Sequence, residues 1–301
     1  MNKLIVFSII GFMAQLVDGA LGMGFGATSA SLLLMFGITP AVASASIHMA
    51  EIATTAASGA SHLWFKNVDK TVLLRLTIPG SISAFVGAAF LSSISGDIIK
   101  PFVSTCLIML GFYILIRFLF LNHASTKKQS RTISKSFLTP LGVVGGFFDA
   151  VGGGGWGPIT TPMLLARKGI SPRKAIGTVD TSEFAIALSS TIGFILFLGL
   201  EQFHWQWVIA FMIGGVIAAP IAAWLIRIIP SYMLGILVGG FIILTNAMTI
   251  IKSISMPTVW IHFTYALLIA LWVGAILYQV KNRKRFVMVD EPMPVLNHAN
   301  K

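Results

Sequence analysis

The sequence is poor in charge. Only 10% of its 301 residues are Asp, Glu, Lys or Arg, and only ten are acidic; a soluble domain carries about 25% charged residues. With 56% hydrophobic residues and a mean hydropathy of +0.87, the chain has little room for a soluble domain and reads as an integral membrane protein. Cysteine is nearly absent. The lone Cys106 excludes an internal disulfide, and no Cys/His cluster with ligand spacing is present, so no metal site and no cofactor are expected. Also missing is any nucleophile–base–acid set for hydrolysis, so an enzyme is not expected. A nucleotide-binding domain is lacking too, so active transport would have to draw on an ion gradient. The net charge of +11 does not indicate nucleic acid, because the basic residues lie in short loops between apolar runs.

What the chain does have is glycine in two clusters. Leu16–Gly26 reads Leu-Val-Asp-Gly-Ala-Leu-Gly-Met-Gly-Phe-Gly, and Phe147–Pro158 reads Phe-Phe-Asp-Ala-Val-Gly-Gly-Gly-Gly-Trp-Gly-Pro. A shift of 131 places Asp18 on Asp149, Gly22 on Gly153, Gly24 on Gly155, Gly26 on Gly157 and Phe25 on Trp156. Each glycine in a helix interior costs roughly 1 kcal/mol relative to alanine, and the run from Gly152 through Gly155 will not continue a helix. In lipid the freed backbone groups need protein partners or cavity water, so a broken helix at membrane depth is expected where it lines a site. Close helix packing is the plainer alternative. Neither cluster is a phosphate loop, because no Gly-Lys-Ser/Thr follows. Neither is a dinucleotide fingerprint, because Gly22, Gly24 and Gly26 are wrongly spaced for one.

The duplication runs further. Gly37-Ile38-Thr39-Pro40 matches Gly169-Ile170-Ser171-Pro172 at a shift of 132, with Ala43 on Ala175 and Glu51 on Glu183. At a shift of 135, Ile78, Gly80 and Ala84 match Ile213, Gly215 and Ala219. Nine apolar runs follow one another, of which the first (Leu4–Phe36) and fifth (Phe137–Ala166) exceed the roughly 20 residues of one span. A re-entrant hairpin for each long run puts Lys66, Lys70, Arg75, Arg117, the linker, Arg167–Lys174, Arg227 and Lys281–Arg285 on one side. It leaves Lys3, Lys100 and Lys252 opposite, with Asp97 and Glu201, a partition that suits the positive-inside rule. The expected fold is an all-α polytopic membrane protein of two inverted repeats. Each is a glycine-broken re-entrant hairpin plus three transmembrane helices, and one extra C-terminal transmembrane helix follows. The units are 1–121, a cytoplasmic basic linker 122–136, 137–253, the extra helix 257–280, and a cytoplasmic tail 281–301. The N-terminus resembles a secretory signal. Cleavage is not expected, because that segment holds Asp18 and the glycines that the second half repeats.

Five of the ten acids, Asp18, Glu51, Asp149, Asp180 and Glu183, fall inside apolar runs, where an acid must be paired, protonated or hydrated. Asp180 stands five residues into its run, so reaching the interface is an alternative for it. On one helical face, His48 and Glu51 are followed by Thr55, Ser58 and His62, a stripe that suits a polar cavity. The second copy has Asp180, Glu183 and Ser190, with Ala187 in place of Thr55. His48 is placed to share a proton with Glu51, either as a coupling group or as a structural pair. No lysine or arginine sits deep in any run. An anion would therefore meet the N–H groups at the half-helix starts, with side-chain donors from Thr28, Thr160, Thr161 and Trp156. Pro158 suits the first turn of a new helix.

The paired Asp-Gly-Ala-Leu-Gly-Met-Gly-Phe-Gly and Asp-Ala-Val-Gly-Gly-Gly-Gly-Trp-Gly-Pro stretches, each followed by a Gly-Ile-Thr/Ser-Pro turn, resemble the TauE/SafE sulfite exporter family, also called TSUP. The resemblance covers Gln15 to about residue 250. It implies a multi-pass permease of the bacterial inner membrane, cytoplasmic at its C-terminus, for sulfite, a sulfonate or another small organic anion. The path would run past Asp18, Gly22, Gly24, Gly26, Asp149, Gly153, Gly154, Gly155, Trp156 and Gly157, with His48, Glu51, Asp180 and Glu183 lining or gating it. Partners are then the small anion, the bilayer and, as an open possibility, a second copy. His48 faces Asp180 across the repeat, so the two halves of such a site cannot be identical. A passive channel of the same fold and a non-transporting membrane scaffold stand as alternatives.

Overall fold

The computed structural model describes residues 3–120, 133–165, 167, 170, 172–225, 231–253 and 258–281. Among these the chain is all-helical: eleven α-helices and one short 3-10 turn, with no strand. In order they are α1 (Lys3–Leu21), α2 (Phe25–Met35), α3 (Pro40–Trp64), α4 (Lys70–Ser92), α5 (Gly96–Phe120), α6 (Lys135–Gly152), α7 (Trp156–Leu165), α8 (Pro172–Phe197), α9 (Trp205–Leu225), α10 (Ser231–Ser253) and α11 (Thr258–Lys281). Most of the 122–136 linker, Arg227 and the tail after Lys281 lie outside the described residues.

Local chemistry sets several boundaries. Pro40 opens α3 at a position where its missing N–H costs nothing. Asp69 caps α4, its Oδ1 accepting from the N–H groups of Thr71 at 3.0 Å and Val72 at 3.1 Å. The long runs break where the glycines predict, between α1 and α2 and between α6 and α7. The breaks fall late, however. α1 has 19 residues and α6 has 18, against 11 in α2 and 10 in α7. At 1.5 Å per residue the first arm is about 28 Å long and the second about 16 Å. The arms are therefore unequal. At both breaks the first glycine, Gly22 or Gly153, has φ near +70°, a left-handed residue that ends a helix without a Cβ clash.

Among the described residues, five helices are long and apolar enough to cross a membrane: Lys70–Ser92, Ile98–Phe120, Arg173–Phe197, Trp205–Ala222 and Val259–Lys281. The outer surface is apolar as well. On α4, Leu74, Ile78, Ile82, Val86 and Phe90 recur every fourth residue and are 42–64% exposed, a hydrocarbon-facing stripe rather than a soluble surface. The interior holds the polar groups instead. Asp18, His48, Glu51, Thr54, Thr55, Ser58, His62, Asp149, Asp180 and Glu183 are all buried. This distribution is that of a multi-pass membrane protein.

The helices interlock across the chain. α1 packs along α9, and α6 along α4; α3 lies against α8 and α9, α4 against α8, and α5 against α10. Small residues permit the close crossings. A Cβ on Gly142 would stand 2.6 Å from the Leu76 carbonyl oxygen, and one on Gly80 would stand 2.6 Å from the Trp156 ring. Gly80→Val should therefore cost about 1–3 kcal/mol through overpacking. Ile78→Ala, two residues away on the outer stripe, should stay within about 0.5 kcal/mol. Thermal unfolding of the two variants in detergent checks the contrast.

Candidate functional site

The two glycine breaks meet. A Cβ on Gly26, just inside α2, would stand 2.5 Å from the Gly153 carbonyl oxygen and 2.6 Å from Gly154 Cα. One on Gly157, just inside α7, would stand 2.5 Å from the Gly22 carbonyl oxygen and 2.6 Å from Met23 Cα. Backbone thus touches backbone in both directions, and only glycine fits at these contacts. Thr161 Oγ1 ties the junction by donating to the Gly22 carbonyl at 2.6 Å.

Each break is organised by its aspartate. The Asp149 carbonyl accepts from Gly153 N at 2.7 Å, closing α6, and Asp149 Oδ1 accepts from Trp156 N at 2.9 Å, capping α7. Asp18 repeats the device: its carbonyl accepts from Gly22 N at 2.6 Å, and its Oδ1 accepts from Phe25 N at 3.4 Å. One residue therefore ends the first helix and caps the second, seven residues on. A carboxylate at a helix start also meets the positive end of the dipole. Trp156 is fully buried, and its indole N–H donates to Ser182 Oγ at 3.0 Å and faces the Val179 carbonyl at 3.3 Å.

The second oxygen of Asp149 faces the other half of the chain. It lies 2.9 Å from His48 Nε2, while Glu51 Oε2 is 4.0 Å from the same nitrogen. The nearer partner of His48 is Asp149, not the Glu51 suggested by helical spacing. The other ring nitrogen, Nδ1, is 2.7 Å from the Ser44 carbonyl, which can only accept. Nδ1 therefore carries a hydrogen. His48 is thus held between the Ser44 carbonyl on its own helix and the Asp149 carboxylate on α6. Ser44 Oγ donates to the Ala150 carbonyl at 2.6 Å and pins α3 to α6 at this point. Sequence reasoning missed Ser44. Its position one turn before His48 is the signal that could have found it.

The remaining acids gather beside Asp18. One oxygen from each of Asp18, Asp180 and Glu183 lies within 4.8 Å of the others. Ser58 Oγ donates to Asp180 Oδ2 at 2.6 Å, and His62 Nε2 is 3.6 Å from that oxygen. Asp180 is fully buried within α8. Asp18 Oδ2, Asp180 Oδ1, Glu183 Oε2 and both oxygens of Glu51 have no hydrogen-bond partner among the described residues.

Every residue proposed from the sequence is therefore deep in the molecule, around one junction. The expected side-chain donors are committed elsewhere. Thr28 Oγ1 donates to the Gly24 carbonyl at 2.6 Å, Thr160 Oγ1 to the Trp156 carbonyl at 2.6 Å, and Thr161 and Trp156 bond as above. In this conformation none of the four is free to receive an anion.

Comparison with known proteins bears on most of the chain. The family model described as Sulfite exporter TauE/SafE matches residues 7–249. The chain is 57% identical over 278 residues to the Probable membrane transporter protein YtnM of Bacillus subtilis (strain 168), covering 92% of this chain and 93% of that protein. No solved structure matches it.

Asp149→Ala removes a cap and leaves His48 buried without its partner, so it should destabilise by about 3–5 kcal/mol. Once Asp149 is gone, His48→Ala should add far less than it costs alone. A double-mutant cycle on unfolding in detergent measures that coupling.

Proposed function

From the chain's membership of the Sulfite exporter TauE/SafE family, whose members are membrane transporters, we propose that it carries a small anion, such as a sulfur oxyanion, sulfonate or organic acid, by secondary transport. In this reading it sits in the bacterial inner membrane with its C-terminus in the cytoplasm. Its two inverted repeats each dip a broken helix into the bilayer, and the anion passes where the two breaks meet. Support for the repeat comes from the order of elements, a broken pair followed by three helices, twice. The reciprocal packing of α1 on α9 and α6 on α4 adds to it.

The observation that carries the proposal is the buried junction itself. Five carboxylates and two histidines are collected around two broken helices in a protein whose exterior is hydrocarbon-like. Intramembrane acids are costly and mark ion or substrate pathways. A scaffold gains nothing from Glu51, whose two carboxylate oxygens are buried and bonded to nothing among the described residues. The arrangement also constrains the chemistry. An anion entering among five carboxylates is repelled unless positive charge enters with it, so transport is coupled to a cation gradient. The N–H groups of the α2 and α7 starts supply the local attraction for the anion. Because the junction is sealed by backbone contact, passage requires the halves to shift against one another, which favours a carrier over an open channel.

Glu51→Gln keeps the shape of the side chain and breaks no hydrogen bond of the carboxylate. In proteoliposomes, uptake of labelled sulfite or sulfoacetate by the wild type should saturate. The variant should lose about tenfold or more of that uptake while keeping its unfolding temperature. Equal uptake by folded variant and wild type would remove the junction from the pathway.

A further inference from the structure

The two clusters of acids differ at one corresponding position, and the difference leaves one of them with a third carboxylate in place of an imidazole. In the sequence register, Asp149 corresponds to Asp18, His48 to Asp180, and Glu51 to Glu183. One cluster joins Asp149 of the second repeat to His48 and Glu51 of the first, where the imidazole Nε2 stands 2.9 Å and 4.0 Å from the two carboxylates. The other joins Asp18 of the first repeat to Asp180 and Glu183 of the second, one oxygen of each within 4.8 Å of the rest. Where the first cluster has its own N–H, the second has a third carboxylate.

We propose that the Asp18–Asp180–Glu183 cluster is a binding site for a small monovalent metal cation, Na+, which fills the role that the His48 imidazole fills in the other cluster. Oxygens up to 4.8 Å apart can share an ion at metal–oxygen distances of about 2.4 Å, the range of Ca2+, and Na+ is nearly the same size. The oxygens left unbonded, Asp18 Oδ2, Asp180 Oδ1 and Glu183 Oε2, are one from each of the three residues. A second observation is independent of the acids. Gln15, fully buried, lies one turn before Asp18 on the same face of α1, and neither atom of its amide has a partner among the described residues. Its Oε1 is a neutral oxygen ligand of the kind Na+ accepts. The cluster also sits at the C-terminal end of α1, where the helix dipole is negative, and ends of broken helices hold Na+ in other transporters. His62, the nearest imidazole, approaches Asp180 Oδ2, the oxygen already held by Ser58, and not the unbonded Oδ1.

The site rests on the transport reading above, as the seat of the cation that accompanies the anion. Its test does not depend on flux. Purified full-length protein is held at constant pH and ionic strength in choline chloride, and Na+ or K+ is substituted. Na+ should raise the unfolding temperature saturably and K+ should not, and 22Na+ should bind at equilibrium. Asp180→Asn and Glu183→Gln should weaken Na+ binding by about tenfold or more. Asp180→His, which rebuilds the imidazole of the other half, should fold and lose the Na+ response entirely. A wild type that responds alike to Na+, K+ and choline, or an Asp180→Asn variant with the wild-type response, overturns the site. Anion uptake driven by a pH gradient without any Na+ response assigns the cluster to a proton and also overturns it. Failure of the two readings is distinguishable: Na+ binding without anion flux sinks the transport reading alone, and anion flux without Na+ binding sinks this site alone.

Discussion

An aspartate that closes one helix and caps the next is the interaction on which the rest depends. Asp149 accepts from Gly153 N with its carbonyl and from Trp156 N with its carboxylate, and Asp18 does the same for Gly22 and Phe25. A chain broken inside a membrane must satisfy its freed N–H groups without water. A single side chain reaching seven residues forward satisfies one of them and sets the angle of the turn. Glycine then lets the two turns touch, backbone on backbone. The cap brings negative charge with it, and so do Glu51, Asp180 and Glu183 on the helices packed around the junction.

Charge, rather than hydrophobic packing, is the difficult part of this fold. The exterior is lined with Leu, Ile, Val and Phe that need nothing but lipid. Among the described residues, the interior holds five carboxylates and no buried lysine or arginine. One answer is visible in the structure: His48 bridges from the Ser44 carbonyl to Asp149 and sets an imidazole beside that carboxylate. At the position of His48 the second cluster has Asp180, and its nearby imidazole, His62, stands 3.6 Å from that carboxylate without a hydrogen bond to it.

Much of this was legible beforehand. The doubled Asp–Gly stretches located both breaks, the apolar runs located the helices, and the isolated acids marked the interior. The stripe from His48 to His62 was readable from helical spacing, and all five of its members are buried on α3. The partner of His48 was not readable. Spacing along one helix favoured Glu51, three residues on, because sequence shows only neighbours on the same helix. Asp149 is 101 residues away and arrives on another helix. The donors Thr28, Thr160 and Thr161 were misjudged for a related reason. A hydroxyl inside a helix in lipid bonds to a nearby carbonyl when it can, since an unsatisfied one is costly.

The sequence by itself determined that this is a helical membrane protein, that it breaks twice at matching places, and which few residues bear charge inside it. These are properties of composition and local geometry: a run of glycines does not continue a helix, and ten acids among 301 residues leave long apolar runs. Only the tertiary structure decided which carboxylate meets which. It put the breaks in contact, gave Asp149 to His48, and left Asp18 beside Asp180 and Glu183. The reason is range. A helix start or a break is fixed within a few residues, whereas a buried charge finds its partner through the packing of helices far apart in the chain.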